Sequence, residues 1–145
     1  LAQRLAASKA QTVAETDCFV LAADTVVAVG RRMLGKPATV EEARACLTLL
    51  SGRRHRVMTA VVVRAPDGRT SARVSESIVT FARLDALQTD AYLAGEEWRG
   101  KAGGYAIQGH AAAFVRFLSG SHSNVVGLPL YETAQLLRGL GYRLP

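Results

Sequence analysis

The chain has 145 residues, 49% hydrophobic and 21% charged, with a formal net charge of +6. That length and composition describe one globular domain with a real core. The longest apolar run, residues 18–29, is too short to cross a bilayer and is interrupted by Asp24, so no membrane partner is expected.

Residues 1–15 read as an Ala-rich helix with Leu1, Leu5, Ala6 and Val13 as a loose apolar stripe, and Lys9 lies on it. Residues 18–29 read as a strand apolar on both faces, expected at the centre of a covered sheet. Gly30-Arg31-Arg32 turns the chain into a short return strand at Met33-Leu34, and Gly35-Lys36-Pro37 is a loop. Thr39 followed by Glu42 is a capping box, so a helix starts there; it buries Ala43, Cys46, Leu47 and Leu50 and stops at Ser51-Gly52. Residues 55–65 and 70–84 read as long hairpin strands around Pro66-Asp67-Gly68, the second with Val74, Ile78 and the pair Thr80-Phe81 marking partial alternation. A short helix at 88–95 breaks at Gly95-Glu96-Glu97, and residues 100–110 are Gly-rich. Residues 112–118 read as a strand, 119–124 as a polar loop, and 128–140 as an amphipathic helix ended by Gly139 and Gly141. The order of elements gives a mixed α/β fold class.

Fifteen of the eighteen basic residues are Arg; the three Lys are Lys9, Lys36 and Lys101. The clusters Arg31-Arg32 and Arg53-Arg54 with Arg56 read as solvated turns, without the aromatic interleaving of a nucleic-acid surface, so no stable nucleic-acid complex is expected. A basic face also suits an anionic small molecule. Cys18 and Cys46 read as small buried hydrophobes rather than a disulfide or zinc site, which favours a reducing, cytoplasmic location. His55, His110 and His122 lack metal-ligand spacing and read as structural or surface residues.

Three segments carry chemistry. Asp24 interrupts an apolar strand, where a carboxylate is costly unless paired, hydrogen-bonded or metal-bound. It reads equally as a structural ion-pair or cap residue, or as a metal ligand or general base. Thr25 beside it is either a plain strand residue or a hydrogen-bond donor to a ligand. Lys36, between Gly35 and Pro37, is either a surface turn residue or a point charge for phosphate; the glycine spacing of a Walker A loop is missing. In Lys101-Ala102-Gly103-Gly104-Tyr105-Ala106-Ile107-Gln108-Gly109 the glycines allow close backbone approach. Gln108 offers a donor and an acceptor suited to a nucleobase edge, and a tight turn with a polar tip is the alternative.

Ala23-Asp24-Thr25-Val26-Val27, Leu34-Gly35-Lys36-Pro37, Leu50-Ser51-Gly52 with His55-Arg56-Val57, Lys101-Ala102-Gly103-Gly104-Tyr105 with Ile107-Gln108-Gly109, and Val125-Val126-Gly127-Leu128-Pro129-Leu130 resemble the Maf family of nucleoside triphosphate pyrophosphatases, historically linked to inhibition of septum formation. Each motif is weak alone; the ordered set is specific. The resemblance implies a mixed sheet flanked by helices, related to the inosine triphosphate pyrophosphatases, with two lobes around a cleft. It implies that residues 1–145 form a single Maf-like domain that hydrolyses a nucleoside triphosphate to the monophosphate and pyrophosphate, in nucleotide-pool house-cleaning. A divalent metal cation, Mg or Mn, is the implied cofactor, and a homodimer is the implied assembly.

By resemblance, Asp24 is the general base and metal ligand, Lys9 and Lys36 lie near the phosphates, and Thr25 and Gln108 match specificity positions of the dTTP/UTP-type subfamily. Asp24 is then expected to line an open cleft near Lys36. The family opens with a strand and a Ser/Arg-rich phosphate-binding loop, followed by a further acidic residue, that residues 1–145 do not contain. The expectation is therefore a truncated or incomplete polypeptide. The alternative reading is a non-catalytic nucleotide-binding or cell-division interaction protein of Maf-like fold.

Overall fold

Four of residues 20–29 are Val, and β-branched residues recur through 57–63, so both stretches extend rather than coil. The computed structural model describes residues 1–11 and 17–145. In chain order its elements are α1 (Ala2–Gln11), β1 (Val20–Val29), β2 (Arg32–Leu34), α2 (Val40–Leu50), β3 (Arg54–Arg64), β4 (Thr70–Phe81), α3 (Ala86–Ala94), β5 (Val115–Ser119), α4 (His122–Val126) and α5 (Leu130–Gly139). Two short 3₁₀ turns, Ala102–Gly104 and His110–Phe114, precede β5. The strands form one five-stranded sheet in the order β2-β1-β3-β4-β5. β2 runs antiparallel to β1, with Val27 opposite Leu34, and β5 runs antiparallel to β4, with Val79 opposite Leu118 and a register shift between Thr80 and Phe81. The fold is mixed α/β, as expected.

Two compact units share the chain. The first comprises residues 1–25, 58–76 and 121–145. Its core packs Val61, Val63 and Ala65 of β3 and its exit against Leu136 and Leu140, with Phe19, Ala23, Leu128 and Leu137 around them. The second comprises residues 26–57 and 77–120. Here α2 packs against α3 and the Ala102–Gly104 turn. Beside them His55, Phe81, Tyr105, Phe114 and Tyr92 form a chain of edge-to-face aromatic contacts.

Local signals translate directly into α2. Thr39 caps it by accepting the Glu42 N–H at 3.2 Å, and Ala43, Cys46, Leu47 and Leu50 are buried. The Glu42 carboxylate reaches one residue further back than a capping box requires, to the Ala38 N–H at 2.7 Å. Gly52, at φ +68°, completes the stop in a conformation that a β-carbon disfavours.

Several expectations need correction. The buried stripe of α1 is Ala2, Ala6 and Ala10, an i, i+4, i+8 row, while Leu1 and Leu5 are exposed. Val13 and the expected helix end at 12–15 lie outside the described residues. β1 is not the central strand; β3 is, and residues 21–26 of β1 are at most half-buried. Cys18 precedes β1 and is exposed, so only Cys46 is a buried hydrophobe. In β4 the buried residues are Ser75, Ser77, Val79 and Phe81, whereas Val74 is exposed. With a period of two, choosing Val74 and Ile78 selects the opposite face. Residues 112–114 belong to a 3₁₀ turn before β5, and the polar stretch 119–124 enters α4, capped by Ser121 on the Asn124 N–H.

Candidate active site

In the first unit the Lys9 ammonium meets the Asp24 carboxylate at 2.5 Å and donates to the Ala23 carbonyl at 3.1 Å. The Asp24 side chain is 11% exposed and that of Lys9 51%. α1 therefore brings a cation onto the one acid that interrupts β1, and the pair compensates the burial of that carboxylate. The Lys9 side chain is the more exposed half of the pair.

Thr25 follows on the same strand, with its hydroxyl 2.8 Å from that of Thr59. Thr59 is fully buried and donates to the Asn124 carbonyl at 3.0 Å. A hydroxyl has one proton. Because that of Thr59 goes to Asn124, the proton between the two threonines comes from Thr25. Thr25 is thereby left with lone pairs rather than a proton to offer. This reverses the polarity expected from the residue type: toward a ligand, Thr25 is an acceptor. Thr59 and Asn124 escaped the sequence reading because Thr59 looks like any β-branched strand residue, and Asn124 lies in a stretch read as polar loop.

In the second unit Lys36 is exposed on the loop between β2 and α2. Both of its neighbours are anchored. The Gly35 carbonyl accepts the Gly103 N–H at 3.0 Å, and Pro37 is buried with its ring against Gly104. Gly103 has φ +74° and sits where a β-carbon would come within 3.2 Å of Val27, so close approach as well as backbone conformation requires glycine there. Gln108 is the exposed residue of a turn whose preceding residues, Tyr105, Ala106 and Ile107, are buried. Glu97 accepts the His110 N–H at 3.1 Å and pairs with His110 Nδ1. Hydrogen bonds from the His110 ring, then from its backbone, hold the Glu97 carboxyl below its ordinary range.

His55 is buried, as expected of a structural histidine, with Nε2 2.6 Å from the Tyr105 hydroxyl. Burial pushes its pKa down to about 4 and that of Tyr105 above its ordinary range. His122 is exposed, and His110 is a surface residue paired with Glu97.

Among the described residues no three His, Cys, Asp or Glu side chains gather as a metal cage. A magnesium-type ion does not need one: it takes one or two carboxylates and completes its shell with substrate phosphates and water. Asp24, a single carboxylate, fits an ion that arrives with a triphosphate.

The Maf-like protein family model matches residues 1–140. The chain is similar to the dTTP/UTP pyrophosphatase of Granulibacter bethesdensis, 65% identical over 153 residues, covering 99% of this chain and 72% of that protein. It is similarly related to the dTTP/UTP pyrophosphatases of Maricaulis maris, at 62% identity, and Rhodospirillum rubrum, at 58%, each covering 98% of this chain and 69% of the relative. With its ordered motifs carried by this α/β sheet and a family match across nearly its whole length, the chain belongs to the Maf family.

Proposed function

We propose that this chain is a nucleoside triphosphate pyrophosphatase acting on UTP and dTTP, and that residues 1–145 belong to a single Maf-like domain. The observation that carries the reading is the Lys9–Asp24 pair, in a chain 65% identical to a dTTP/UTP pyrophosphatase. Asp24 acts as general base. It takes a proton from a water whose oxygen attacks the α-phosphorus; the bond from that phosphorus to the bridging oxygen breaks, and pyrophosphate leaves with the bond electrons. Lys9 and Lys36 offset the phosphate charge. A divalent cation, Mg or Mn, bound with the triphosphate supplies Lewis acidity, and Asp24 is the protein ligand for it.

Base choice follows from hydrogen-bond polarity. Uracil and thymine present an imide N–H, whereas cytosine has a lone pair at that ring nitrogen. Thr25, held as an acceptor by Thr59, suits the imide. Gln108, through its amide N–H₂, suits a carbonyl oxygen of the base, which cytosine replaces at one position with an amino group. The cytoplasm, where nucleotide pools are kept, is the proposed location, and a homodimer is the proposed assembly.

The test is pyrophosphate release from a panel of nucleoside triphosphates with Mg²⁺. UTP and dTTP are expected to give the highest kcat/KM, with CTP well below. Nucleotide binding without pyrophosphate release from any member of the panel overturns the reading.

A further inference from the structure

Glu97 lies outside every role assigned so far. It follows Glu96, which at φ +61° is the one non-glycine residue in the left-handed region among the described residues. This backbone turn accompanies a Glu97 carboxylate that lies over the turn formed by Gln108, Gly109 and His110. There Oε1 accepts the His110 N–H and Oε2 pairs with His110 Nδ1. The space is made by Gly109: a β-carbon on that residue would collide with Oε1. Gly109 itself has φ −103°, so backbone conformation is not what requires glycine there. The requirement is room for the carboxylate.

On the other side, the Gly109 N–H donates to the Ala106 carbonyl at 3.0 Å, and buried Tyr105, Ala106 and Ile107 hold the incoming chain. An exposed residue, Gln108, is thus fixed from both directions. Exposed turn tips need no such restraint for stability, because water satisfies their backbone. Restraint matters when a side chain must meet a ligand in one geometry.

We propose that Glu97 is a positioning residue for base selection: its carboxylate, seated over Gly109 and clasping His110, fixes the turn that presents Gln108 to the nucleobase. The inference rests on Gln108 reading the base, as proposed above.

The experiment compares kcat/KM for UTP and CTP in the enzyme and in the variants Gln108→Ala, Glu97→Ala, Gly109→Ala and the double variant Glu97→Ala/Gln108→Ala. Gln108→Ala is expected to lower the UTP-to-CTP ratio about tenfold, the worth of one recognition hydrogen bond. Glu97→Ala and Gly109→Ala should reproduce most of that loss, the latter by evicting the carboxylate without straining the backbone. Adding Glu97→Ala to Gln108→Ala should change the ratio no further, since both act through one contact. Glu97→Gln, which keeps an acceptor oxygen for the His110 N–H, should restore part of the ratio. Because the His110 side chain is 87% exposed and water can replace its partner, the melting temperature should shift little, which separates positioning from folding. If Gln108→Ala lowers the ratio and Glu97→Ala does not, or if the two losses multiply, the positioning role is wrong. If Gln108→Ala leaves the ratio unchanged, the base-reading role of Gln108 fails, and the proposal with it.

Discussion

The hydroxyl chain from Thr25 through Thr59 to the Asn124 carbonyl turns a side chain that can donate or accept into one with a fixed sense. Thr59→Val keeps the shape and removes the relay. The freed Thr25 proton can then point outward, so discrimination against CTP should fall several-fold in the nucleotide panel while Thr59→Ser retains it. The same substitution leaves the Asn124 carbonyl and the Thr25 hydroxyl without their buried partner, at a cost of about 1–3 kcal/mol in denaturant unfolding. His55 gives a second residue-scale expectation. Its folded pKa is depressed, about 4 against an ordinary 6.5, so between those values the unfolded chain binds the proton and the folded chain does not. Stability is therefore unaffected by this group above about pH 6.5 and declines as pH falls toward 4, by about 3 kcal/mol in total. Unfolding free energies measured across that window should show the slope, and His55→Leu should flatten it.

At the scale of elements, α2 was legible because its signals are local. Thr39, the apolar row Ala43, Cys46, Leu47 and Leu50, and the Ser51-Gly52 stop lie within fourteen residues, and the structure uses each of them. Thr39→Ala should lower stability by about 1 kcal/mol, read as a shift in the denaturation midpoint with unchanged slope. The face of β4 was not legible, because Ser75 and Ser77 are buried by what covers them rather than by their own apolarity. The exposure of Cys18 escaped for a related reason: it is the first residue of the apolar run 18–29, and β1 begins two residues later at Val20. The clasp of Glu97 on His110 joins residues thirteen apart through a turn whose conformation no local pattern specifies. Among the candidate residues, the Lys9–Asp24 pairing also depends on tertiary structure, fifteen residues apart. Asp24 stood out as an acid inside an apolar strand and Lys9 by resemblance, whereas their contact was not legible.

For the whole molecule, the packing of Leu136 and Leu140 on Val61, Val63 and Ala65 makes one of the two cores, and Leu136→Ala should destabilise it by about 2–5 kcal/mol in equilibrium unfolding. In the proposed function, catalysis turns on Asp24, the acid that interrupts an apolar strand and pairs with Lys9. The most direct measurement is the rate of pyrophosphate release from UTP with Mg²⁺ for the enzyme and Asp24→Asn, with unfolding curves to show that both are folded. A general base contributes about 10²–10⁴-fold, so the folded variant should lose at least two orders of magnitude in kcat. A folded Asp24→Asn enzyme that releases pyrophosphate at the full rate would contradict the central role given to this carboxylate.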